Sequence, residues 1–268
     1  MTDAAPRIAR LDSRALVRVA GEDWRPFLQG LLTQDVETLQ PGELRFGALL
    51  TPQGKLLFDL FILGAADGCV LDVAADRRDA LIQRLSMYRL RSKVVIAPDD
   101  TAAFAAWGAR ADIGWPTDPR LADLGWRGYD PEAAANATEA DYDAHRLTVG
   151  APDPARDAAP DTTYPIEANW DLLNGIDFQK GCFVGQETTS RMKRRGQIKS
   201  RMLPIRFDGP APGPGAEILA GERRAGEILT ALDGRAMALV RLDRAVGAEL
   251  TVDGRSVRLE IPGWFPSI

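Results

Sequence analysis

The chain has 268 residues, of which 45% are hydrophobic and 26% charged, and its formal net charge is −5. This composition is that of an ordinary soluble globular protein, long enough for one large domain or for two or three smaller ones. The negative balance argues against a nonspecific nucleic-acid binder, although a local basic patch can persist on an acidic body.

The cysteines and the apolar segments indicate a reducing compartment. The two cysteines are Cys69 and Cys182, and Cys69 stands in an apolar, strand-like run where a buried small hydrophobe is expected. Two thiols and the single His145 cannot build a standard structural zinc site, so we predict no metal site. The N-terminal segment lacks secretory features, and the best apolar run, Leu56 to Leu63, is too short to span a bilayer. We therefore predict a cytoplasmic protein without membrane contact.

The first half of the chain mixes strand-like and helical patterns. Residues 15–20 predict a strand, and residues 24–32 predict an amphipathic helix with an acidic cap and a first-turn proline. Two apolar runs, 44–50 and 55–63, flank a turn at 51–54 and predict a hairpin. The further predicted elements are a strand at 69–74, a helix from Asp76 to Tyr88, strands at 94–97 and 102–107, a connection with one short strand at 113–136, a helix at 139–149 and a loop at 151–163. This order predicts an α+β fold.

The C-terminal part has a different texture. From Arg201 onward, short apolar runs are broken by Gly-Pro and Asp-Gly turns. Such regular strand spacing predicts a small β-barrel or sandwich as a separate C-terminal domain.

The stretch from Phe178 to Glu187 combines a thiol, a cation, two glycines, an amide and a carboxylate within ten residues. Cys182 is open to three interpretations: a buried core cysteine, a reactive thiolate or a transient metal ligand. Lys180 and the arginines from Arg191 onward would lower the pKa of the thiol, and the flanking glycines would leave it accessible, so we favour a functional thiol. No partner base is visible nearby, which argues against a Cys-His hydrolase.

Four polar residues flank this turn: Glu167, Asn169, Gln186 and Glu187. Each alone is well explained by loop capping and solvation. As a group they suit a planar heterocycle that offers several donors and acceptors along one edge. Trp170 and Tyr88 could cover the face of such a ring, and each is equally well explained as a core residue.

Six cations lie between Arg191 and Arg201. They form a solvated face, a site for an anionic ligand tail or a site for RNA phosphates. No aromatic residues are interleaved with them, which disfavours a platform for stacking single-stranded bases. The chain contains no Walker loop and no dinucleotide fingerprint.

The segment from Lys180 to Glu187 closely resembles the Lys-Gly-Cys-aromatic-x-Gly-Gln-Glu signature of YgfZ-type folate-binding proteins. That group includes mitochondrial iron–sulfur assembly factors and belongs to the superfamily of the glycine-cleavage T-protein, an aminomethyltransferase. The resemblance extends along most of the chain, through Phe27–Val36, Thr51–Lys55, Leu90–Val94 and Arg146–Gly150.

The resemblance implies an α+β, aminomethyltransferase-like folate-binding fold in three parts. Residues 1–50 with 118–200 would form an N-terminal folate-binding domain, residues 51–117 an inserted ferredoxin-like domain, and residues 201–268 a C-terminal β-barrel. Tetrahydrofolate or a derivative would sit in a central channel near Cys182. Arg14 stands where many bacterial members carry a tryptophan implicated in the folate site.

The resemblance also implies a role in assembling or repairing iron–sulfur proteins, including enzymes that thiolate tRNA. Cys182, with Lys180 beside it, would be the reactive thiol or a transient cluster contact. The implied folate-binding residues are Glu167, Asn169, Gln186, Glu187, Arg191 and Tyr88.

Our primary hypothesis is a folate-binding accessory factor, rather than an enzyme, that acts as a monomer with iron–sulfur assembly or client proteins. One alternative is a folate-dependent aminomethyl or methyl transferase, although the catalytic aspartate of true aminomethyltransferases has no counterpart that we can place. The other is an RNA-binding module that uses the basic run. The net charge leads us to expect no nucleic-acid partner.

Overall fold

The computed structural model describes residues 5–108, 113–130, 132–158, 160–196 and 198–267. Within these residues the strands are β1 (Arg7–Arg10), β2 (Arg14–Ala20), β3 (Leu44–Leu50), β4 (Leu56–Ala65), β5 (Gly68–Ala74), β6 (Val95–Asp99), β7 (Phe104–Trp107), β8 (Trp126–Gly128), β9 (Ser200–Phe207), β10 (Glu217–Ala220), β11 (Arg223–Leu232), β12 (Arg235–Arg241), β13 (Leu250–Val252) and β14 (Arg255–Leu259). The α-helices are α1 (Trp24–Gln29), α2 (Arg78–Arg89), α3 (Glu139–Val149), α4 (Pro154–Asp157), α5 (Gln186–Arg195) and α6 (Leu242–Ala245).

One antiparallel sheet contains five strands in the order β3-β4-β5-β2-β6. Because side chains alternate along a strand, Leu60 and Ile62 of β4 join a core that includes residues of α1 and α2. Phe61 lies between them in the sequence and joins a second core, on the other face, with Phe46 and Trp170. The sheet therefore separates two apolar layers, and a residue contributes to only one of them.

A second sheet of three strands has the order β1-β7-β8. Helix α3 packs on it through Tyr142, whose ring centroid is 5.4 Å from that of Trp107. A capping box between Thr138 and Asp141 begins the helix, and Gly150, with φ +78°, ends it. These local signals explain why the predicted helix at 139–149 has the observed bounds.

The C-terminal residues form a closed barrel with strand order β10-β11-β12-β9-β14-β13. Its interior is aliphatic, with Leu203, Ile205, Ile228 and Val240 among the fully buried side chains. The predicted α+β class with a C-terminal β-barrel is confirmed. Closure of the six strands decides between the barrel and the sandwich that the strand spacing left open.

Four helices differ from the predicted elements, among them α6, which lies in the region predicted to contain only strands and turns. Helix α1 ends at Gln29 rather than at residue 32. The predicted loop at 151–163 contains α4, and the basic run after Gly185 forms α5, which sequence reasoning missed. The signal for α5 was present: Glu187 stands in its first turn, three cations stand in its last turn, and Gly196 caps it in the left-handed conformation, an arrangement that suits the helix dipole. Among the described helices, none has the length and apolar character needed to cross a membrane.

The strand pairing differs from the predicted domain boundaries. The boundary at residues 50 and 51 falls at the hairpin turn between β3 and β4, which pair with each other. β2 pairs with β5 and β6, so strands from both sides of that boundary share one sheet. β7 was assigned to the same inserted unit, but it pairs with β1 and β8. A polar turn resembles a linker in sequence, and only the pairing shows which strands it joins. The division into independently folding units stays a prediction.

Candidate functional site

The loop that carries Cys182 lies against the segment that follows α1. The Val184 amide donates to the carbonyl oxygen of Gly30 at 3.2 Å, and the Asp177 amide donates to that of Thr33 at 2.9 Å. The Thr33 hydroxyl in turn donates to the carbonyl oxygen of Gly175 at 2.7 Å. The segment after α1 and the Cys182 loop, which are distant in sequence, therefore form one structural unit.

The hairpin turn between β3 and β4 forms the other wall of this unit. A Cβ atom on Gly185 would lie 2.7 Å from the carbonyl oxygen of Thr51 and 2.9 Å from the Cα of Gly54. A Cβ atom on Gly54 would lie 2.9 Å from the Cβ of Thr188. Both glycines also have positive φ, +84° for Gly54 and +82° for Gly185. Backbone contact this close requires glycine on both sides.

Lys180 holds the loop in place. Its ammonium donates to the carbonyl oxygens of Gln29, Leu32 and Gln34 at 2.8, 2.6 and 2.9 Å. The residue is buried, and this burial lowers the pKa of Lys180 to about 8 against the opposing effect of nearby carboxylates. We predicted that Lys180 acts chemically beside Cys182. Its three N–H donors are instead directed at the end of α1 and the segment after it, so it is a positioning residue.

The Cys182 side chain is exposed, whereas Cys69 is buried in the core. Burial raises the pKa of the Cys69 thiol to about 12, which leaves it inert as a nucleophile or ligand. Next to Cys182, a Cβ on Gly181 would meet no atom within 4 Å, so the loop is open to an approaching molecule. In the described part of the chain, no group of three or more His, Cys, Asp or Glu side chains could hold a metal ion.

Two of the predicted folate-binding residues are engaged within the fold. The Asn169 amide group donates to the carbonyl oxygen of Met202 at 2.6 Å, and its residue is fully buried with φ +63°. The Glu167 carboxylate accepts from the Tyr164 amide at 3.0 Å. Burial raises the pKa of Glu167, although that hydrogen bond and Lys55 oppose the shift. The Asn169 side chain thus holds the start of β9, where the Met202 amide also donates to the backbone carbonyl oxygen of Glu167 at 2.7 Å, whereas the Glu167 carboxylate closes a local turn.

The other four predicted folate-binding residues lie elsewhere. Gln186, Glu187 and Arg191 belong to α5, where Glu187 and Arg191 are exposed. Tyr88 packs on the sheet face that α1 and α2 cover, opposite the face that holds Trp170. A pterin ring cannot contact both faces of one sheet, so the six residues do not form a single folate site in this arrangement.

Sequence reasoning missed a buried ion network in the middle of the molecule. The Arg14 guanidinium donates to Asp72 and to Asp59, both at 2.6 Å. The Tyr129 hydroxyl donates to the second carboxylate oxygen of Asp72 at 3.0 Å. The available signal was the placement of Asp59 and Asp72 inside otherwise apolar strands, since a charge at such a position needs a buried partner.

Two further arginines fill the centre. The guanidinium carbons of Arg127 and Arg120 lie 3.6 and 4.8 Å from the ring centroid of Phe61. The cavity between these arginines, Arg14 and α3 measures about 10 Å³, whereas pockets for small molecules measure roughly 300–1,000 Å³. Among the described residues, the buried Nη1 atom of Arg127 has no hydrogen-bond partner, and its Nε lies 3.3 Å from a carboxylate oxygen of Asp72 in an ion pair without hydrogen-bond geometry. This cavity as arranged is too small for a pterin.

Comparison with known proteins supports the architecture. Residues 199–267 match the family model of the CAF17 C-terminal β-barrel domain. The glycine cleavage system aminomethyltransferase T of Bartonella henselae superposes with a TM-score of 0.76 over 98% of this chain and 87% of its own, at 19% identity. At 19% identity this similarity is evidence for a shared fold only, and it confirms the predicted aminomethyltransferase-like fold.

Relatives matched by sequence are named as mitochondrial proteins, which overturns the predicted cytoplasmic location. The human protein is named iron-sulfur cluster assembly factor IBA57, mitochondrial; it is 30% identical over 97% of this chain and 85% of its own length. The homolog from Phaeosphaeria nodorum carries the corresponding name and is 30% identical over 97% of this chain and 80% of its own. The cytoplasmic prediction used the lack of secretory features, which bears on secretion and not on organelles. The YgfZ-type part of the resemblance stays a prediction.

Similarity of this extent covers the Cys182 loop, both sheets and the barrel alike. The chain belongs to the family of the IBA57 iron–sulfur cluster assembly factors.

Proposed function

We propose that this protein is an iron–sulfur cluster assembly factor in which Cys182 is the cluster-contacting thiol. The single observation that carries the proposal is the placement of this side chain: an exposed sulfur on a loop that Lys180 and the Gly54–Gly185 contact hold in position. Because the loop holds an accessible thiol in a fixed position, Cys182 is better explained as a ligand of the cluster than as an ordinary surface residue.

The cluster is the cargo in this proposal, and it is shared with a partner. Clusters of the common types use four protein ligands, and the described residues place no further group of metal-binding side chains near Cys182. The remaining ligands therefore come from an assembly or client protein. Cys182 releases its proton to solvent and its thiolate bonds to an iron atom, while the bond from that iron to one thiolate of the partner breaks and the freed thiolate takes up a proton from solvent. No redox change is required for this exchange.

The residues around Cys182 have separate tasks. Lys180 and the two glycines fix the direction of the loop, and the open space at Gly181 admits a partner. Neither a base nor an acid is needed beyond solvent, since ligand exchange only requires that the thiol ionise. This division of tasks agrees with an accessory factor. We keep tRNA-thiolating enzymes among the proposed clients.

Folate enters the proposal only through the sequence signature and the shared fold, and no step depends on it. A thermal-shift titration with tetrahydrofolate tests it separately. Stabilisation at millimolar ligand would support a folate site built by residues other than the six predicted ones. No shift would remove folate from the proposal and leave the role of the thiol unchanged.

The test of the main proposal is cluster binding by purified protein mixed with an iron–sulfur assembly partner. Wild type should form a shared cluster with ligand-to-metal absorption bands, and Cys182→Ala should not. Cys69→Ala is the matched control, because it removes the buried thiol and should bind the cluster as wild type does. Retention of the cluster by Cys182→Ala would overturn the proposal.

A further inference from the structure

Helix α5 presents a strongly basic surface to solvent. We define the α5 basic face as the exposed residues Arg191, Arg194, Arg195 and, just past the helix, Lys199. None of the four forms an ion pair with a carboxylate in the described part of the chain. Lys193, on the same helix, differs because it pairs with Asp171 at 3.3 Å.

The orientation of this face is set by the opposite side of the helix. Thr189 is buried, and its hydroxyl donates to the carbonyl oxygen of Gly185 at 3.2 Å. Met192 packs against the core that contains Trp170. The burial of Thr189 and the packing of Met192 orient α5, so the cations on the opposite side of the helix face outward. Arg194 and Arg195 also complement the helix dipole, but Arg191 lies in the middle of the helix and has no such role.

The α5 basic face is close to the functional thiol. Helix α5 begins four residues after Cys182, and Arg191 lies about 7.5 Å along the axis from its first residue at 1.5 Å per residue. Phe178, on the Cys182 loop, is 36% exposed, and the Lys193 ammonium lies 5.3 Å from its ring centroid. Loop and helix thus form one continuous surface.

We propose that the α5 basic face docks the acidic, cluster-bearing surface of a partner protein and so brings the cluster to Cys182. This inference rests on the proposed function. A cluster held by thiolates is an anion, and the present chain has a net charge of −5, so an acidic partner would be repelled without a local cationic surface. The four unpaired cations supply that attraction next to the thiol.

The charges favour an acidic protein over RNA. No aromatic side chains alternate with the cations of this face, as they would in a platform for base stacking, and the remainder of the chain is acidic. Phe178 offers one apolar contact beside the cations, an arrangement suited to a protein surface.

The first experiment measures the electrostatic field at Cys182. The triple variant Arg191→Glu, Arg194→Glu, Arg195→Glu is compared with a control on the barrel, Arg206→Glu, Arg223→Glu, Arg258→Glu, whose residues are also exposed and without ion pairs among the described residues. The thiol is reacted with dianionic 5,5′-dithiobis(2-nitrobenzoate) and with neutral 4,4′-dithiodipyridine. In the α5 variant the rate ratio of anionic to neutral reagent should fall roughly tenfold at low salt, and the control should match wild type. Equal ratios in all three proteins would overturn the inference.

The second experiment measures docking, with an acidic [2Fe–2S] ferredoxin as the probe. Wild type should bind it with an affinity that falls as salt increases, and the α5 variant should lose that binding while the barrel control keeps it. Cys182→Ala should still bind the ferredoxin, which separates this inference from the proposed function. Loss of docking in the α5 variant would show that the basic face binds the partner. Loss of the shared cluster in Cys182→Ala would show that the thiol binds the cluster. Unchanged docking by the α5 variant, or binding of a labelled RNA oligonucleotide in preference to the ferredoxin, would overturn the inference.

Discussion

The Lys180 ammonium donates a hydrogen bond of 2.6 Å to the carbonyl oxygen of Leu32, a residue 148 positions earlier in the chain. The same ammonium reaches Gln29 and Gln34. The last carbonyl groups of a helix lack partners within the helix, and here one lysine satisfies the end of α1 and fixes the Cys182 loop at once. Orientation of the thiol therefore depends on a contact far from it in sequence.

Replacing Lys180 with methionine should destabilise the protein by about 3 kcal/mol, because three carbonyl oxygens lose a charged donor. Urea unfolding followed by tryptophan fluorescence gives the change in the free energy of unfolding. The loosened loop should also change the rate at which Cys182 reacts with iodoacetamide. The exposed Lys199→Met serves as the control and should stay within about 0.5 kcal/mol of wild type. Equal unfolding midpoints for the two variants would refute the anchoring role.

Replacing Gly185 with alanine should cost about 2–3 kcal/mol, since the new Cβ meets the Thr51 carbonyl oxygen at 2.7 Å and the residue has φ +82°. Gly181→Ala, in the same loop, is the matched control, because its Cβ would meet nothing within 4 Å. Chemical denaturation of both variants is the measurement. If Gly181→Ala proved the more destabilising of the two, the packing of the loop against the hairpin turn would be wrong.

Iodoacetamide should modify one cysteine of the native protein, and peptide mass spectrometry should place it at Cys182. Cys69 is buried, and its pKa is raised to about 12, so it should react only in denaturant. The rate at Cys182 should exceed the rate at Cys69 by more than about a hundredfold, because a thiol in a stable core reacts only while the core is transiently open. Comparable native rates at both positions would contradict the assignment.

The Asp35 carboxylate should make the free energy of unfolding depend on pH in the acid range. Burial alone would raise the pKa of Asp35, but hydrogen bonds from Thr38 and Gln29 outweigh it and hold that pKa well below the usual value of 3.8. Because the folded pKa is lowered, the stabilisation is complete above pH 3.8 and is lost as the pH falls further towards the folded pKa. Asp35→Asn should therefore be less stable at neutral pH and show a flatter acid profile. Asp208→Asn, at an exposed position, should keep the wild-type profile; identical profiles for all three would dismiss the role of Asp35.

Replacing Arg14 with methionine should destabilise the protein by about 3–5 kcal/mol, because Asp59 and Asp72 would be left as buried charges without this partner. Adding Asp59→Asn to the variant should restore part of the loss, since it removes one of those charges. Arg18→Met is the control: its ion pair with Asp67 is exposed on the carboxylate side, so the cost should be below about 1 kcal/mol. Thermal unfolding of these four proteins and of Asp59→Asn alone measures the coupling between Arg14 and Asp59.

Several features could be predicted from the sequence because their causes are local. Apolar runs bounded by turn residues placed β2 to β5, and Gly150 marked the end of α3. Regularly spaced Gly-Pro and Asp-Gly turns predicted a C-terminal barrel or sandwich. The glycine-flanked Cys182 was identified as an accessible thiol from its neighbours alone, and the structure shows it exposed.

The partners of side chains could not be predicted in this way, because they depend on which strands and loops meet. Asn169 appeared available for a ligand, but the return of β9 places the Met202 carbonyl against it. Tyr88 and Trp170 appeared able to enclose one ring, but the sheet lies between them. The sequence by itself determined that this protein carries a reactive-looking thiol in a polar, cation-rich stretch. Tertiary structure alone decided that Lys180 holds that stretch rather than reacts in it, because the carbonyl oxygens that satisfy its charge come from a segment about 150 residues away.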